Sequence, residues 1–113
     1  MKLDRSQREE ARAIARELAR IARTAEVLPG SIGERRTRCG QAGCACQADP
    51  SRRHGPYWHW TRKVAGKTVG RYLAKEEAAE CGGWIANDRR LRELVARLEA
   101  IGVECLEAER RDG

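Results

Sequence analysis

Three cysteines lie within eight residues of this chain, in the pattern Cys39-x4-Cys44-x-Cys46, and His54 follows after seven intervening residues. Structural zinc sites prefer four tetrahedral nitrogen and sulfur ligands. A bound metal adds most to a chain too short for a large core, and this chain has 113 residues without a single phenylalanine. The pattern therefore predicts a structural Zn²⁺ site formed by Cys39, Cys44, Cys46 and His54.

The fourth ligand has alternatives in the sequence. His59 or Cys81 can take the place of His54, because either residue supplies a donor that zinc accepts. Cys105 lies in a helical pattern near the end of the chain, where a small buried side chain is the simpler interpretation.

A disulfide framework is disfavoured. It usually requires a secreted protein and an even cysteine count, whereas this chain has five cysteines. Residues 1–24 alternate charged and small apolar residues, unlike a secretory signal. No stretch reaches the roughly 18 apolar residues of a membrane span. These features predict reduced thiols, a cytoplasmic location and no membrane association.

The formal charge of +6 is unevenly distributed. Residues 34–75 carry ten basic side chains against two acidic ones, whereas residues 76–113 carry six basic and ten acidic side chains. Clustered Lys and Arg on one module are typical of a polyanion partner, usually nucleic acid. The alternative is a solvated surface that serves solubility alone.

Residues 4–27 predict an amphipathic helix, with Asp4 or Ser6 as the cap and Pro29-Gly30 as the terminator. Helix is predicted again from Lys75, with an interruption at Gly82-Gly83 and a weakening at Gly102. The apolar stripes of these helices can pair within one chain or between two copies in a homodimer.

Residues 57–64 and 67–73 predict a β-hairpin around Ala65-Gly66, either with a two-residue turn or with a bulged one. In the two-residue register Trp58 opposes Leu73, and the face carrying Trp58 and Trp60 is expected to pack on helix. Residues 31–38 predict a third, antiparallel strand.

The predicted fold class is thus α+β, with an N-terminal amphipathic helix, a zinc-stapled loop, a small antiparallel sheet built on the hairpin, and C-terminal helices. The segments are 1–28 for the N-terminal helix, 29–74 for the zinc loop and hairpin, and 75–113 for the C-terminal helical arm, all within one domain.

The ordered motifs resemble a known family. The segments that carry the resemblance include Leu28-Pro-Gly-Ser-Ile32, the cysteine cluster, His54-Gly-Pro-Tyr57 and Gly66-Lys-Thr68. They resemble a family of small uncharacterised bacterial and archaeal proteins, the domain of unknown function numbered 6788, over roughly residues 27–98. The resemblance maps the family's cysteine and histidine pattern onto the four predicted metal ligands. It also implies a connection with mobile-element genes.

These observations predict a zinc-stabilised nucleic-acid-binding accessory protein, with duplex DNA as the first ligand and RNA or single-stranded DNA as alternatives. Its protein partner would be a recombinase, transposase or nuclease. The candidate nucleic-acid-binding residues are Arg35, Arg36, Arg38, Arg52, Arg53, Tyr57, His59, Arg62, Lys63, Lys67, Arg71 and Tyr72.

The competing hypothesis is a protein-interaction or dimerisation subunit with little nucleic-acid affinity of its own. An enzyme is not expected, because the sequence lacks a phosphate-binding glycine motif and an HExxH pair. A structural zinc site with four protein ligands also has no open coordination position.

Overall fold

The computed structural model describes residues 1–112. Its main elements are two helices and three strands, with two short 3₁₀ turns at Ala45–Gln47 and Pro50–Arg52. In chain order they are α1 (Arg5–Thr24), β1 (Ser31–Thr37), β2 (His54–Val64), β3 (Lys67–Leu73) and α2 (Lys75–Asp112). The predicted α+β class is therefore confirmed. No helix within residues 1–112 is both long and apolar enough to cross a membrane.

Helix α1 begins at a capping box. The Asp4 carboxylate accepts a hydrogen bond from the Gln7 backbone N–H at 2.7 Å, and the Gln7 side chain accepts one from the Asp4 N–H at 3.0 Å. These two bonds satisfy donors that the first helical turn leaves without partners. The helix ends at Thr24 because Ala25 turns into the left-handed region at φ 56°, several residues before the predicted terminator Pro29.

Helix α2 is continuous, so the predicted interruption at Gly82-Gly83 is wrong. The weakening predicted at Gly102 is not seen either, because the helix runs on to Asp112. Each glycine costs a helix roughly 1 kcal/mol relative to alanine. The rest of the 38-residue helix outweighs that cost, because hydrogen bonds on both sides of the glycines hold the backbone in place. A Cβ at any of these three glycines would meet nothing within 4 Å.

The sheet has the order β1-β2-β3 and both of its strand pairs are antiparallel. The predicted hairpin register is confirmed, with Trp58 opposite Leu73 and Trp60 opposite Arg71. The turn has two residues with positive φ, 50° at Ala65 and 81° at Gly66. Such a turn matches the twist of the flanking strands, which outweighs the poor fit of alanine in the left-handed region.

Two compact units make up the chain. The helical unit comprises Met1–Leu28 and the residues from Ala86 onward, and the sheet unit comprises Pro29–Ile85. The three predicted segments and the predicted single domain stay predictions.

The helical unit contains an antiparallel helix pair with an aliphatic core. Ile14 and Ile21 of α1 are buried together with Leu94 and Ile101 of α2, at 2–7 % exposure. In each helix the two core residues are seven positions apart, which is the heptad spacing of helices that pack side by side. The core spacing explains why the apolar stripes predicted from sequence pair within the chain.

Candidate metal centre and basic sheet

Strand pairing brings the two ends of the cysteine-rich loop together. Thr37, the last residue of β1, pairs with His54, the first residue of β2. The intervening residues 38–53 therefore form a closed loop whose ends lie side by side. The sheet register shifts between Arg35 and Thr37, next to Gly55 at φ 132°. A Cβ at Gly55 would lie 2.7 Å from the Arg35 carbonyl oxygen, so only glycine fits this close approach.

Three thiols and one imidazole converge inside this loop. The ligand atoms of Cys39, Cys44, Cys46 and His54 all lie within 4.8 Å of one another. The Cys44 Sγ is 3.3 Å from His54 Nε2, and the Cys46 Sγ is 3.5 Å from the Cys39 Sγ. Tetrahedral zinc with bonds of about 2.3 Å to sulfur and about 2.0 Å to nitrogen places its ligand atoms roughly 3.5–3.8 Å apart. The four side chains thus fit a metal ion of this size.

The electrostatics of the loop favour a thiolate at one ligand. The Cys46 backbone N–H, followed by the His54 ring, lowers the pKa of Cys44 to about 6. At Cys46, burial and the neighbouring thiols outweigh a hydrogen bond from the Cys39 backbone, and the pKa is raised. Metal binding requires deprotonated thiols, so the lowered pKa of Cys44 favours the form of this side chain that binds a metal.

Several contacts hold the ligands in position. Cys46 is fully buried, and the Cys39 backbone N–H donates to its Sγ at 3.3 Å. The Gln47 side-chain amide donates to the Cys39 carbonyl. Further along, the Asp49 carboxylate accepts hydrogen bonds from the backbone and hydroxyl of Ser51 at 3.0 and 2.7 Å. The contacts of Cys39 and Cys46 hold these two ligands in place, and the Asp49–Ser51 bonds brace the loop that follows them.

The two alternative ligands lie elsewhere. His59 packs against Tyr72, with the ring centroids 4.7 Å apart, and Cys81 lies on α2 beside Trp84. Within residues 1–112, the group that is close enough to hold a metal comprises the four residues predicted first.

The sheet divides the predicted nucleic-acid-binding residues between its two faces. Alternation along the strands places five of them on one face, which we call the tyrosine face: Arg35, Tyr57, His59, Lys63 and Tyr72. Tyr57 and Tyr72 are 44 % and 54 % exposed, with their rings 6.1 Å apart in an edge-to-face arrangement. This face therefore combines exposed aromatic rings with cations.

The opposite face carries the half-buried Trp58 and Trp60. Trp58 lines an apolar cavity with residues of the first turns of α2, which is consistent with the predicted packing of this face on helix. The Arg62 guanidinium lies 4.5 Å from the centre of the Trp60 ring. Arg71 forms an ion pair with Glu77 at 2.9 Å.

The remaining predicted residues are distributed around these faces. Arg36 pairs with Glu34 at 3.8 Å, and Arg52 pairs with Asp49 at 3.6 Å within the metal loop. The other members of the predicted set are Arg38 and Arg53, which also belong to that loop, and Lys67, which begins β3. The structure thus brings the set to one sheet and one loop, but not to one continuous face.

Sequence reasoning missed three residues of the tyrosine face. Thr37 lines an open cleft with Tyr57 and Tyr72. Gly33 and Gly70 flank His59 and have no side chains. Gly33 is the cross-strand partner of His59, and a Cβ at Gly70 would lie 2.7 Å from the His59 ring. Glycine inside a predicted strand is a signal of close approach, and this signal could have identified Gly70.

Comparison with known proteins gives a family and no further relatives. No curated protein and no solved structure matches the chain. The model of one family, described as "Domain of unknown function (DUF6788)", matches residues 6–82. This match starts within α1, includes the whole sheet and all four candidate ligands, and ends in the first turns of α2. Because it covers more than half of the sequence, the chain belongs to the DUF6788 family.

Proposed function

We propose that this protein is a zinc-stabilised nucleic-acid-binding accessory protein without catalytic activity. In this proposal Zn²⁺ holds the loop of residues 38–53, and the sheet unit binds the phosphate backbone. Zn²⁺ is the proposed metal because three thiolates and an imidazole form one of the donor sets that structural zinc commonly uses. Four protein ligands would fill its tetrahedral shell, which leaves no position for a reactive water.

The observation that carries the proposal is the excess of cations without acidic partners in the sheet unit. Residues 34–75 contain ten Lys and Arg side chains. Within residues 1–112, only three of these ten form ion pairs, and they are Arg36, Arg52 and Arg71. Cations that lack protein partners attract phosphates and release counterions on binding, which supplies affinity that depends on salt.

The hairpin tip favours duplex DNA as the first ligand to test. Strand β1 pairs with β2 only as far as Thr61, so residues 62–69 form a two-stranded ribbon beyond the edge of β1. Such a ribbon fits the major groove of B-DNA. Arg62, Lys63 and Lys67 supply cations on this ribbon. The proposed connection with a recombinase, transposase or nuclease is supported only by the family resemblance.

The test is equilibrium binding of the purified protein to labelled duplex DNA, single-stranded DNA and RNA across a salt series. We expect the logarithm of affinity to fall linearly with the logarithm of salt concentration. Each phosphate contact contributes a slope of about −0.9 on duplex DNA or about −0.7 on single strands. Negligible binding to all three ligands at low salt would contradict the proposal.

Metal identity is tested separately, by elemental analysis of protein purified without added metal. We expect one zinc per chain in the wild type and less than one in Cys44→Ser. Cys81→Ser is the matched control, because Cys81 lies outside the cluster in the same unit. Stoichiometric zinc in Cys44→Ser would contradict the assigned ligand set.

A protein-interaction subunit is the second candidate, and exposed apolar residues on α2 favour it. Val95, Val103 and Leu106 are 44 %, 58 % and 51 % exposed. Val95 and Leu106 are 11 positions apart, about three turns, and Val103 lies within a quarter turn of both, so the three share one side of the helix outside the core. The occupant we propose for this side is a second copy of this chain, which would complete a four-helix bundle. Sedimentation equilibrium tests this candidate. A dimer that Val103→Glu dissociates would support it, and a monomer at all concentrations would exclude it.

A further inference from the structure

The tyrosine face contains an open cleft that the electrostatic argument does not use. Thr37, Tyr57 and Tyr72 line it, and its volume is about 380 Å³. Small-ligand sites commonly have volumes of about 300–1,000 Å³. The two tyrosines are 44 % and 54 % exposed, although apolar burial would stabilise a small sheet. Their exposure needs an explanation other than core packing.

The surface around the cleft is shaped to let a flat ligand approach. Gly33 has open space above it, and the His59 ring lies where a side chain at position 70 would stand. His59 also contacts Tyr72, with the ring centroids 4.7 Å apart. The three rings of Tyr57, His59 and Tyr72 are therefore adjacent, with no bulky neighbour on the glycine positions beside them.

Cations border the same cleft. Arg35 is the direct cross-strand partner of Tyr57, and no acidic side chain within residues 1–112 forms an ion pair with it. Thr37, at the mouth of the cleft, is the cross-strand partner of the candidate ligand His54. The metal loop with Arg38 thus begins one residue beyond the cleft. An aromatic surface beside unpartnered cations suits a ligand with a flat ring joined to a phosphate.

We propose that this cleft binds one unpaired base of a single-stranded nucleic acid, which stacks on Tyr72 with its edge against Tyr57 while Arg35 contacts the adjoining phosphate. This inference rests on the proposed function and narrows its ligand. Bases inside a duplex present only their edges, because their faces are covered by stacking. A ring that stacks on protein must be unpaired or extruded. At this cleft a single strand therefore binds more tightly than a duplex of the same charge, whereas a duplex would engage the hairpin tip instead.

The test compares a labelled single-stranded oligonucleotide with a strand of the same length in which abasic sites replace the bases. Both strands have the same phosphates, so they differ only in the rings that can stack. The second arm uses matched RNA and DNA strands, which separates the two sources of an unpaired base. The variants are Tyr72→Leu, its conservative counterpart Tyr72→Phe, and Arg35→Gln.

We expect the intact strand to bind the wild type about 5- to 150-fold more tightly than the abasic strand, the range that stacking of one base supplies. Tyr72→Leu should abolish that difference, Tyr72→Phe should keep it, and Arg35→Gln should weaken both strands alike. Val69→Ala is the control, because Val69 is exposed on the same strand but on the opposite sheet face. An unchanged melting temperature shows that each variant is folded.

The outcomes separate the two proposals. Salt-dependent binding that is equal for intact and abasic strands, or unchanged in Tyr72→Leu, overturns the base cleft and leaves nucleic-acid binding in place. Absence of binding to every strand overturns both. A preference for intact strands that Tyr72→Phe preserves and Tyr72→Leu removes supports the cleft.

Discussion

The helical unit and the sheet unit use side chains of the same kinds for different purposes. In the helical unit, apolar residues form a continuous core of four buried aliphatic side chains with partly buried neighbours. Among the described residues of the sheet unit, the buried hydrophobic residues are only Cys46 and Ile85, and Cys46 is a candidate metal ligand. A small sheet without a core is marginal in water, so metal coordination by the four candidate ligands would replace burial as its source of stability.

Charge shows the same contrast. Between the helices, Arg90 forms a two-pronged hydrogen-bonded pair with Glu17 at 2.6 and 2.9 Å, and Arg97 does the same with Glu10. In the sheet unit, Lys and Arg outnumber Asp and Glu ten to five, whereas in the helical unit they are nearly balanced, 13 to 12. The comparison teaches that the net positive charge available to a polyanion is concentrated in the sheet unit.

Metal removal should produce the largest difference in stability between the two units. Chelation, or the substitution Cys46→Ser, should unfold the metal loop and sheet while the helical unit stays folded. Structural zinc contributes an apparent ~10–16 kcal/mol in small zinc peptides. Amide hydrogen exchange resolved along the chain measures this effect: protection should vanish in β1–β3 and persist in α1. Cys81→Ser should leave both regions protected. Protection of the sheet that survives chelation would contradict a metal-dependent unit.

A core truncation should produce the opposite pattern. Ile101→Ala removes buried atoms from a side chain that is 2 % exposed, and we expect a loss of about 2–5 kcal/mol in unfolding free energy of the helical unit. Metal content should not change. The control is Val103→Ala, two positions away at 58 % exposure, which should cost under about 0.5 kcal/mol. Chemical denaturation followed by circular dichroism measures both, and equal losses would argue against the assigned core.

Two glycines of the sheet unit, one in the hairpin turn and one in α2, differ in what their backbone conformations require. Gly82→Ala should stabilise α2 by up to ~1 kcal/mol, because the added methyl group meets nothing within 4 Å and alanine favours helix. Gly66→Ala should destabilise the hairpin by about 1 kcal/mol or more, because φ at that position is 81°. Thermal unfolding of the two variants provides the measurement. Shifts of the same sign would show that one of these backbone assignments is wrong.

The smallest expected effect is a pH dependence of the helical unit. The hydrogen bond from Arg97, aided by its charge and opposed by desolvation, lowers the pKa of Glu10 below its ordinary 4.5. Arg90 lowers the pKa of Glu17 in the same way. Because the folded-state pKa values are depressed, this stability is present above the ordinary value and is lost as the pH falls through it toward the folded-state value.

The substitution Arg97→Gln should make this acid-dependent part smaller. Hydrogen exchange of α1 amides between neutral and acidic pH measures it, with Arg92→Gln as the control. Arg92 pairs with Asp88 on its own helix and not across the helix pair. Because both variants keep the metal ligands, any acid-induced loss of metal is common to them. Identical pH profiles for the two variants would contradict the assigned role of the pair between helices.

The elements that the sequence predicted well depend on local rules. The hairpin register follows from a two-residue turn and strict alternation, so Ala65-Gly66 was sufficient to place Trp58 opposite Leu73. The ligand set was predictable because zinc chemistry restricts the donors. The continuity of α2 was not predictable. The local cost of Gly82-Gly83 is smaller than the cooperative stability of the long helix, and a short window of sequence shows only the cost.

Which distant residues lie together could not be predicted from local patterns either. Thr37 carries no motif, and it joins the tyrosine cleft only because β1 pairs with β2 in one particular register. The choice of His54 over His59 likewise depends on that register, which places His54 at the end of the loop and His59 on the open sheet face. Spacing gives the candidates, and strand pairing selects among them.

The ion pairs between the two helices also bear on how the helices are aligned along their length. Glu10 and Glu17 are separated by the same seven residues as Arg90 and Arg97, so a slide of one heptad would place Glu17 opposite Arg97 and restore one of the two pairs. The ion pairs alone are thus compatible with two alignments of the helices. A contact without a heptad counterpart resolves it: the Asn87 amide donates to the Glu26 carbonyl at 2.9 Å. Single polar residues in coiled coils specify one alignment of the helices rather than add stability. We expect Asn87 to act in the same way: it would select one alignment of the helix pair and add little to the free energy of unfolding.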